Sequence, residues 1–411
     1  MALRSLASVL DRSKVLKALQ TISTNLFKDY SDETATAQRI WDIICNDPDF
    51  AIKVASSHCP DLLLPTWQGK LDDVFDVNPV LSDYCVTAID GSQIYPDKHQ
   101  GTTCYLLNIG TVYLSYGSQN SAVQLNSTPY VFTGQDEDTF DNSQEMINCR
   151  RQALELQAGA DFSDQSDNSL KPQIEKDAAQ NNLLLFDGSL IFWHLDSKDK
   201  NIQHYFLPKY INALEQLTEQ QTLFASYISL PKSRELVNLL QFYLRDPIAS
   251  SEFYSAELRN IDHQPFVVSE SQANDKPLVD HIIDATIASF FLEPNQRTTV
   301  FYNHSAITQH YPDHLMPCFF YLHVSDEIAR VEIPFWIAID KALTDIVASI
   351  ALNQSRKGHG YPVCLAEAHE QAVVKGPDRD FFYHIVQKLG IEQKKRISVS
   401  LKSKKKRRIG I

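Results

Sequence analysis

The sequence predicts an α/β fold, a mixed sheet flanked by helices, with a helical segment before it and a basic tail after it. Three observations carry that prediction. Residues 84–132 crowd β-branched and aromatic residues into runs divided by Gly and Asn ("YCVTAID", "TTCYLLNIGTVYLSY", "AVQLNSTPYVFT"). The segment "LLLFDGSLIFW" is apolar on both faces, as a strand at the centre of a sheet is. Beyond it, helix-like and strand-like segments alternate ("YFLPKYINALEQLTEQQ", "LFASYISLP", "SRELVNLLQFYL"), the pattern of helices packed on a sheet.

Taken in order, residues 1–83 form a helical region, with apolar positions at helical spacing in "VLKALQTISTNLF" and "ATAQRIWDIIC". Pro60, Pro65 and Pro79 break the chain before the first strand. Residues 84–390 form the main domain. Its first two strands are joined through "GSQIYPDKHQG" as an antiparallel meander. A helix starts where Asn142 caps with Glu145 three residues on, and Ile147, Leu154 and Ala158 mark its apolar face. Residues 159–182 are polar and read as a loop insertion. "CFFYLHVSDEIARVEIPFWIA" is a strand pair around Ser325–Asp326, followed by helices near 338–353, 363–375 and 378–389. Residues 391–411 read as a flexible tail.

Composition narrows the function. With 411 residues, 43% of them hydrophobic, the chain has ample core for one large domain with appendages or for two domains. No apolar run approaches the ~18 residues of a membrane span, and "MALRSLASVLDRSKVLKALQ" lacks the apolar core of a signal peptide. The seven cysteines are scattered without a C-x-x-C pair, which points to a reduced, cytoplasmic protein and away from zinc knuckles. His, Asp and Glu remain as ligands, a set that favours magnesium or manganese. A net charge of −13 argues against indiscriminate nucleic-acid binding. It hides the tail "EQKKRISVSLKSKKKRRIGI", with nine Lys or Arg against one Glu, which reads as solvated and could supply phosphate contacts.

Two segments carry Asp-Gly-Ser after an apolar run, at Asp90 and at Asp187. Either alone is ordinary turn chemistry. Aspartates at the ends of adjacent buried strands, however, aim two carboxylates into one space, and such a pair needs a cation to coexist. Glu155 in "RRQALELQ" is an i,i+4 partner for Arg151 or a group turned toward a site. His369 shares a helical face with Leu365, Ala366, Ala372 and Val373 and is expected to be partly buried. Tyr361 precedes that helix, after "RKGHG", where Arg356 and Lys357 suit a phosphate backbone. "LPKSREL" and "IARVEIP" add Lys232, Arg234, Arg330 and Glu332, charges whose ordinary place is a solvated surface. No phosphate-cradling Gly-rich loop and no G-x-S-x-G elbow occur.

In order, "AIDGS", "RRQALE", "LLLFDGSL", "YISLPKS", "IARVEIP" and "GYP…AEAH" resemble the NurA nuclease family over roughly residues 84–390. The stretch between Glu155 and Asp187 is long for that family, and the tail lies outside its pattern. The resemblance implies a ribonuclease-H-like fold: a mixed sheet with helices on both sides and an acidic cluster at its centre. It implies that Asp90, Glu155, Asp187 and His369 are metal ligands, that Tyr361 is the active-site tyrosine, and that Lys232, Arg330 and Glu332 occupy recurrent family positions, with Lys232, Arg330 and Tyr361 expected to contact nucleic acid beside Arg356 and Lys357. The implied activity is a manganese- or magnesium-dependent nuclease acting on single-stranded DNA and DNA ends, endonucleolytic and 5′ to 3′ exonucleolytic, in break repair. The implied partners are a second copy and a HerA-type hexameric ATPase. A two-metal hydrolysis needs carboxylates bridging ions roughly 3.5–4 Å apart; Asp90 is the expected bridge, Asp187 and Glu155 complete the shell, His369 ligates an ion or orients water, and Tyr361 positions the phosphate or stacks on a base. Two other readings stay open: a non-catalytic subunit that clamps DNA or docks on a translocase, and a phosphohydrolase of small nucleotides.

Overall fold

The computed structural model of the chain describes residues 10–23, 29–78, 83–97, 99, 102–117, 121–133, 142–163, 182–247, 253 and 279–393. Helices α1 (Arg12–Thr21), α2 (Ser31–Cys45) and α3 (Phe50–Ser56) open it, followed by short strands β1 (Thr66–Trp67) and β2 (Val74–Asp76). The meander is β3 (Tyr84–Ile94), β4 (Tyr105–Tyr116) and β5 (Ala122–Phe132). Then come α4 (Gln144–Ser163), β6 (Asn182–Asp187), α5 (Lys200–Glu219), β7 (Leu223–Ile228) and α6 (Glu235–Leu244). The remainder is β8 (Gln296–Thr298), β9 (Phe301–Tyr302), β10 (Pro317–Val324), β11 (Glu327–Pro334), α7 (Lys341–Lys357), α8 (Val363–Ala372) and α9 (Gly376–Glu392).

These eleven strands make one mixed sheet in the order β1-β9-β10-β11-β7-β6-β3-β4-β5, with β2 on β8 and β8 on β10. β3, β4 and β5 pair antiparallel, whereas β6 lies parallel to both β3 and β7. Strand periodicity then divides the core. Val86, Ala88, Leu183, Leu185 and Ala225 face α7 and α8. Ile89, Leu184, Phe186 and Phe224 face α4 and α5. On that second side, Phe319 and Tyr321 of β10 are covered by α2, α3 and α6. On that side the α4–α5 group and the α2–α3–α6 group therefore adjoin at a seam over β7 and β11. Among the described residues no helix is long and apolar enough to cross a membrane.

Four expectations change. The region 1–83 is not purely helical, because β1 and β2 join the sheet by pairing with β9 and β8; Trp67 packs edge-on against Phe301 there. The loop expected over 159–182 does not begin at 159, since α4 runs through Ser163 with Gly159, Ala160 and Phe162 buried; residues 164–181 lie outside the described set. The cap of α4 is Ser143, whose hydroxyl accepts from the Met146 N–H at 3.4 Å, while Asn142 accepts from Arg150. The first Asp-Gly-Ser is no turn at all. β3 continues through it to Ile94 because β4 stays paired alongside, Gly91 with Ile109 and Ile94 with Leu106. Only the second is a turn, with Gly188 at φ +97°. Of the basic tail, residues 394–411 lie outside the described set.

Candidate active site

The pairing of β3 with β6 runs from Cys85–Asn182 to Ile89–Phe186, so the next residues on each strand, Asp90 and Asp187, stand side by side. Both share the strand face of Ala88 and Leu185, beneath α7 and α8. Asp90 is one-fifth exposed. Asp187 lies open to solvent at the end of β6.

Two glycines admit the other groups. Gly110 of β4 lies opposite Asp90, and a Cβ there would come within 2.5 Å of the Ala372 nitrogen and 2.6 Å of the Ala368 carbonyl. The backbone of α8 thus rests directly on β4. Asn108 fastens it further by donating its amide to the Gln371 and Ala372 carbonyls at 3.2 and 2.8 Å. The result is that His369 Nδ1 meets Asp90 Oδ2 at 2.8 Å. Gly91 plays the same part on the other side of the sheet: its missing Cβ would overlap Glu155 Oε1 at 2.4 Å and the Arg151 stem at 2.8 Å. Glu155 therefore reaches the aspartates from α4, across the strand end. Arg151 pairs with Glu155 at 3.1 Å and donates to the Gly91 carbonyl at 3.1 Å and the Gln93 side chain at 3.2 Å.

Burial first, and charge repulsion after it, hold Glu155 and Asp187 above the usual carboxylate range. Burial, followed by Asp90 and Asp187, pushes Glu155 up to about 7 against the pull of Arg151. Partial desolvation and the neighbouring Asp90 raise Asp187, while the Tyr361 hydroxyl, bonded to it, pulls the other way. Burial and the Asp187 charge raise the Tyr361 phenol in turn, so Tyr361 is a hydrogen-bond donor here. Its ring stands edge-on to Tyr227 at 5.9 Å. By charge and donor type, this set suits a hard divalent cation. By spacing it is not yet a cage: among the described residues no three His, Cys, Asp or Glu side chains converge enough to hold an ion. Asp90 is engaged by His369, Glu155 by Arg151 and Asp187 by Tyr361.

The structure thus brings together Asp90, Glu155, Asp187, Tyr361 and His369, and leaves others out. His369 is not partly buried; its side chain is 63% exposed, because Leu365, Ala368 and Ala372 form the inward face of α8 and His369 is turned about 100° from Ala368. Arg330 does not face nucleic acid: it is 2% exposed and bound between Glu235 and Glu332, at 2.8 Å to each. Lys232 is exposed on the loop after β7, at the sheet edge where β6 also ends. Arg356 and Lys357 are not brought to the cluster. Arg356 donates to Asn295, and the Lys357 ammonium lies 4.4 Å over Tyr116. Tyr116 pairs with Tyr84, about 20 Å along β3 from Asp90 at the rise of a strand. Sequence reasoning missed Gly91, Gly110 and the second role of Arg151; a glycine inside a strand pattern is the signal for such a close approach.

A family model described as the NurA domain matches residues 85–374. The chain belongs to the NurA family. All five grouped residues fall inside the matched segment. No curated protein matches the chain. Solved structures similar to this NurA-family chain include "Crystal structure of NurA" (11% identity, 76% of this chain and 90% of that one, TM-score 0.33). "Crystal structure of NurA with manganese" shares 13% identity over 92% of this chain and 98% of that one, TM-score 0.33. "Crystal structure of NurA bound to dAMP and manganese" shares 12% over 89% and 94%, TM-score 0.28.

Proposed function

We propose that the chain is a divalent-metal-dependent deoxyribonuclease that hydrolyses phosphodiester bonds in single-stranded DNA and at DNA ends, as an endonuclease and a 5′ to 3′ exonuclease serving break repair. The observation that carries the reading is the meeting of Asp90 and Asp187 on adjacent parallel strands, joined by Glu155 from one helical layer and His369 from the other. Family membership over residues 85–374 supports it, as does a mixed sheet with helices on both sides and acids at its centre, which agrees with a ribonuclease-H-like assignment. Manganese or magnesium, two ions in this reading, would be held by Asp90, Asp187, Glu155 and His369 and would activate water and neutralise charge on the phosphate. The chain's own groups do the rest. Asp90 holds the imidazole of His369 in place, so His369 can orient water or take a ligand position. Tyr361, kept protonated by burial and by the Asp187 charge, would turn its one O–H from that carboxylate to a phosphate oxygen when DNA is bound. Lys232 contributes a cation at the same sheet edge. The chain acts in the cytoplasm, as a homodimer with a HerA-type hexameric ATPase.

The test is manganese-dependent cleavage of a single-stranded oligonucleotide by the full chain and by Asp90→Asn and Asp187→Asn. Both variants are expected to lose cleavage to background while keeping their melting temperature. Undiminished cleavage by either variant would refute the assignment. A chain that cleaves nucleoside phosphates and no oligonucleotide would turn out to be a small-nucleotide phosphohydrolase.

A further inference from the structure

We propose that Glu332 is a positioning residue that holds the Asp187 turn from the face of the sheet opposite Tyr361, acting through Ser189. The inference rests on the nuclease reading above. Asp187 ends β6, and the next residue leaves the sheet at positive φ, so the direction of its carboxylate is set by the turn that follows. That turn is tied down at four points, one of them the Leu190 carbonyl, which accepts from the Tyr311 hydroxyl at 2.7 Å. The Gly188 N–H donates to the Tyr227 carbonyl at 3.2 Å. The Ser189 hydroxyl and the Leu190 N–H both donate to Glu332 Oε2, each at 2.8 Å.

Glu332 is itself immobilised. It is 1% exposed on β11, in register with Ser226 of β7. Its other oxygen accepts from Arg330 Nε at 2.8 Å, and Arg330 passes on to Glu235 at 2.8 Å with its guanidinium 3.7 Å over the Phe319 ring. A buried ionic group of this kind is weak as a source of stability, since well-packed apolar residues commonly do as well. What it supplies is a fixed acceptor. Two of its bonds end on residues two and three positions past Asp187, and no other carboxylate contacts that turn among the hydrogen bonds of the described residues. The network, at the seam between the α4–α5 and α2–α3–α6 groups on that face, thus transmits the rigidity of the core to the carboxylate at the exposed end of β6.

The test uses the full chain with Ser189→Ala, Ser189→Thr and Asp187→Asn, measuring manganese affinity by titration calorimetry, kcat and KM on single-stranded DNA, and the melting curve. Ser189→Ala leaves the Leu190 bond in place but also takes the acceptor from the Ile191 N–H, 3.0 Å away, so it is expected to melt slightly below the wild type. It should bind manganese ~10-fold more weakly, the lower range for a lost support of a ligand, and show a similar fall in kcat with KM for DNA unchanged; Ser189→Thr should restore both. The inference is overturned if Ser189→Ala keeps manganese affinity and kcat within twofold while Asp187→Asn loses them. If the wild type binds manganese but cleaves no DNA, the nuclease reading fails, and the manganese affinity of Ser189→Ala still decides the positioning role.

Discussion

Gly110→Ala isolates the claim that a close approach of helix to strand builds the site. The added Cβ would lie 2.5 Å from the Ala372 nitrogen, 2.6 Å from the Ala368 carbonyl and 2.9 Å from the Gln371 carbonyl carbon. All three are backbone atoms, so no rotamer change can relieve them. Restoring ordinary contact at about 3.4 Å moves α8 outward by about 0.9 Å, against the bonds from Asn108. Overpacking of this size costs ~1–3 kcal/mol, from which the lower entropy of the unfolded alanine chain subtracts ~0.4–1 kcal/mol; the net loss is about 1–2 kcal/mol. The same movement carries His369 off Asp90, and a ~1 Å displacement of an aligned group can lower a rate ~10²-fold. Denaturant melts give the first number and manganese-dependent cleavage the second. Gly376→Ala is the control, because nothing lies within 4 Å of its Cβ position. If Gly110→Ala matched Gly376→Ala in stability and cleavage, the argument that this glycine seats α8 would be wrong.

Two further predictions concern buried charge. The pKa of Glu155 is raised from the usual 4.5 to about 7, so metal-free protein holds its full share of stability below pH 4.5 and loses roughly 3 kcal/mol of it as pH rises through 7. Glu155→Gln should therefore stabilise the metal-free chain at pH 8 and leave it unchanged at pH 4, as read from melts in chelator; manganese should reverse the ranking at pH 8. Arg330→Ala should destabilise by ~3–5 kcal/mol in urea, because it strands Glu235 and Glu332 beside a third buried carboxyl, Asp284. An arginine that contacted phosphates would instead leave the fold intact and flatten the salt dependence of DNA binding.

Much of the sheet was legible because its signals are local. The apolar run at Leu183–Phe186 is buried on both faces, and the pair around Ser325–Asp326 turns where expected, with Ser325 at φ +47°. What escaped was set by partners distant in sequence. Asp-Gly-Ser is strand at Asp90 and turn at Asp187 because β4 goes on pairing beyond the first and β7 stops pairing at the second. The alternation of "ARVEI" has the form of a half-exposed strand, with Arg330 and Glu332 on the wet side. A second helical layer covers that side, and no local pattern distinguishes a solvated charge from one buried against an opposite charge. The spacing of Leu365, Ala366, Ala372 and Val373 puts His369 on the inner face, but Ala366 is exposed and Val373 lies past the helix end; the inward face is Leu365, Ala368 and Ala372, and His369 stands one step in helical phase off it.

The site lies where it does because β6 is shorter than β3. Helices on opposite faces of a sheet are separated by the strands themselves, so groups from α4 and α8 can meet only at a gap. β6 pairs with β3 as far as Ile89 and then turns away after Asp187, while β3 continues to Ile94 beside β4 alone. Along that free edge the Gly91 carbonyl is taken up by Arg151, and the missing side chain of Gly91 opens the path by which Glu155 arrives. On the other face, Gly110 lowers α8 until His369 touches Asp90. A longer β6 would fill the edge, and a larger residue at 91 or 110 would block one layer or the other. Asp90, Asp187 and Glu155 approach one another at that opening, from two strands and one helical layer, and His369 closes on it from the other.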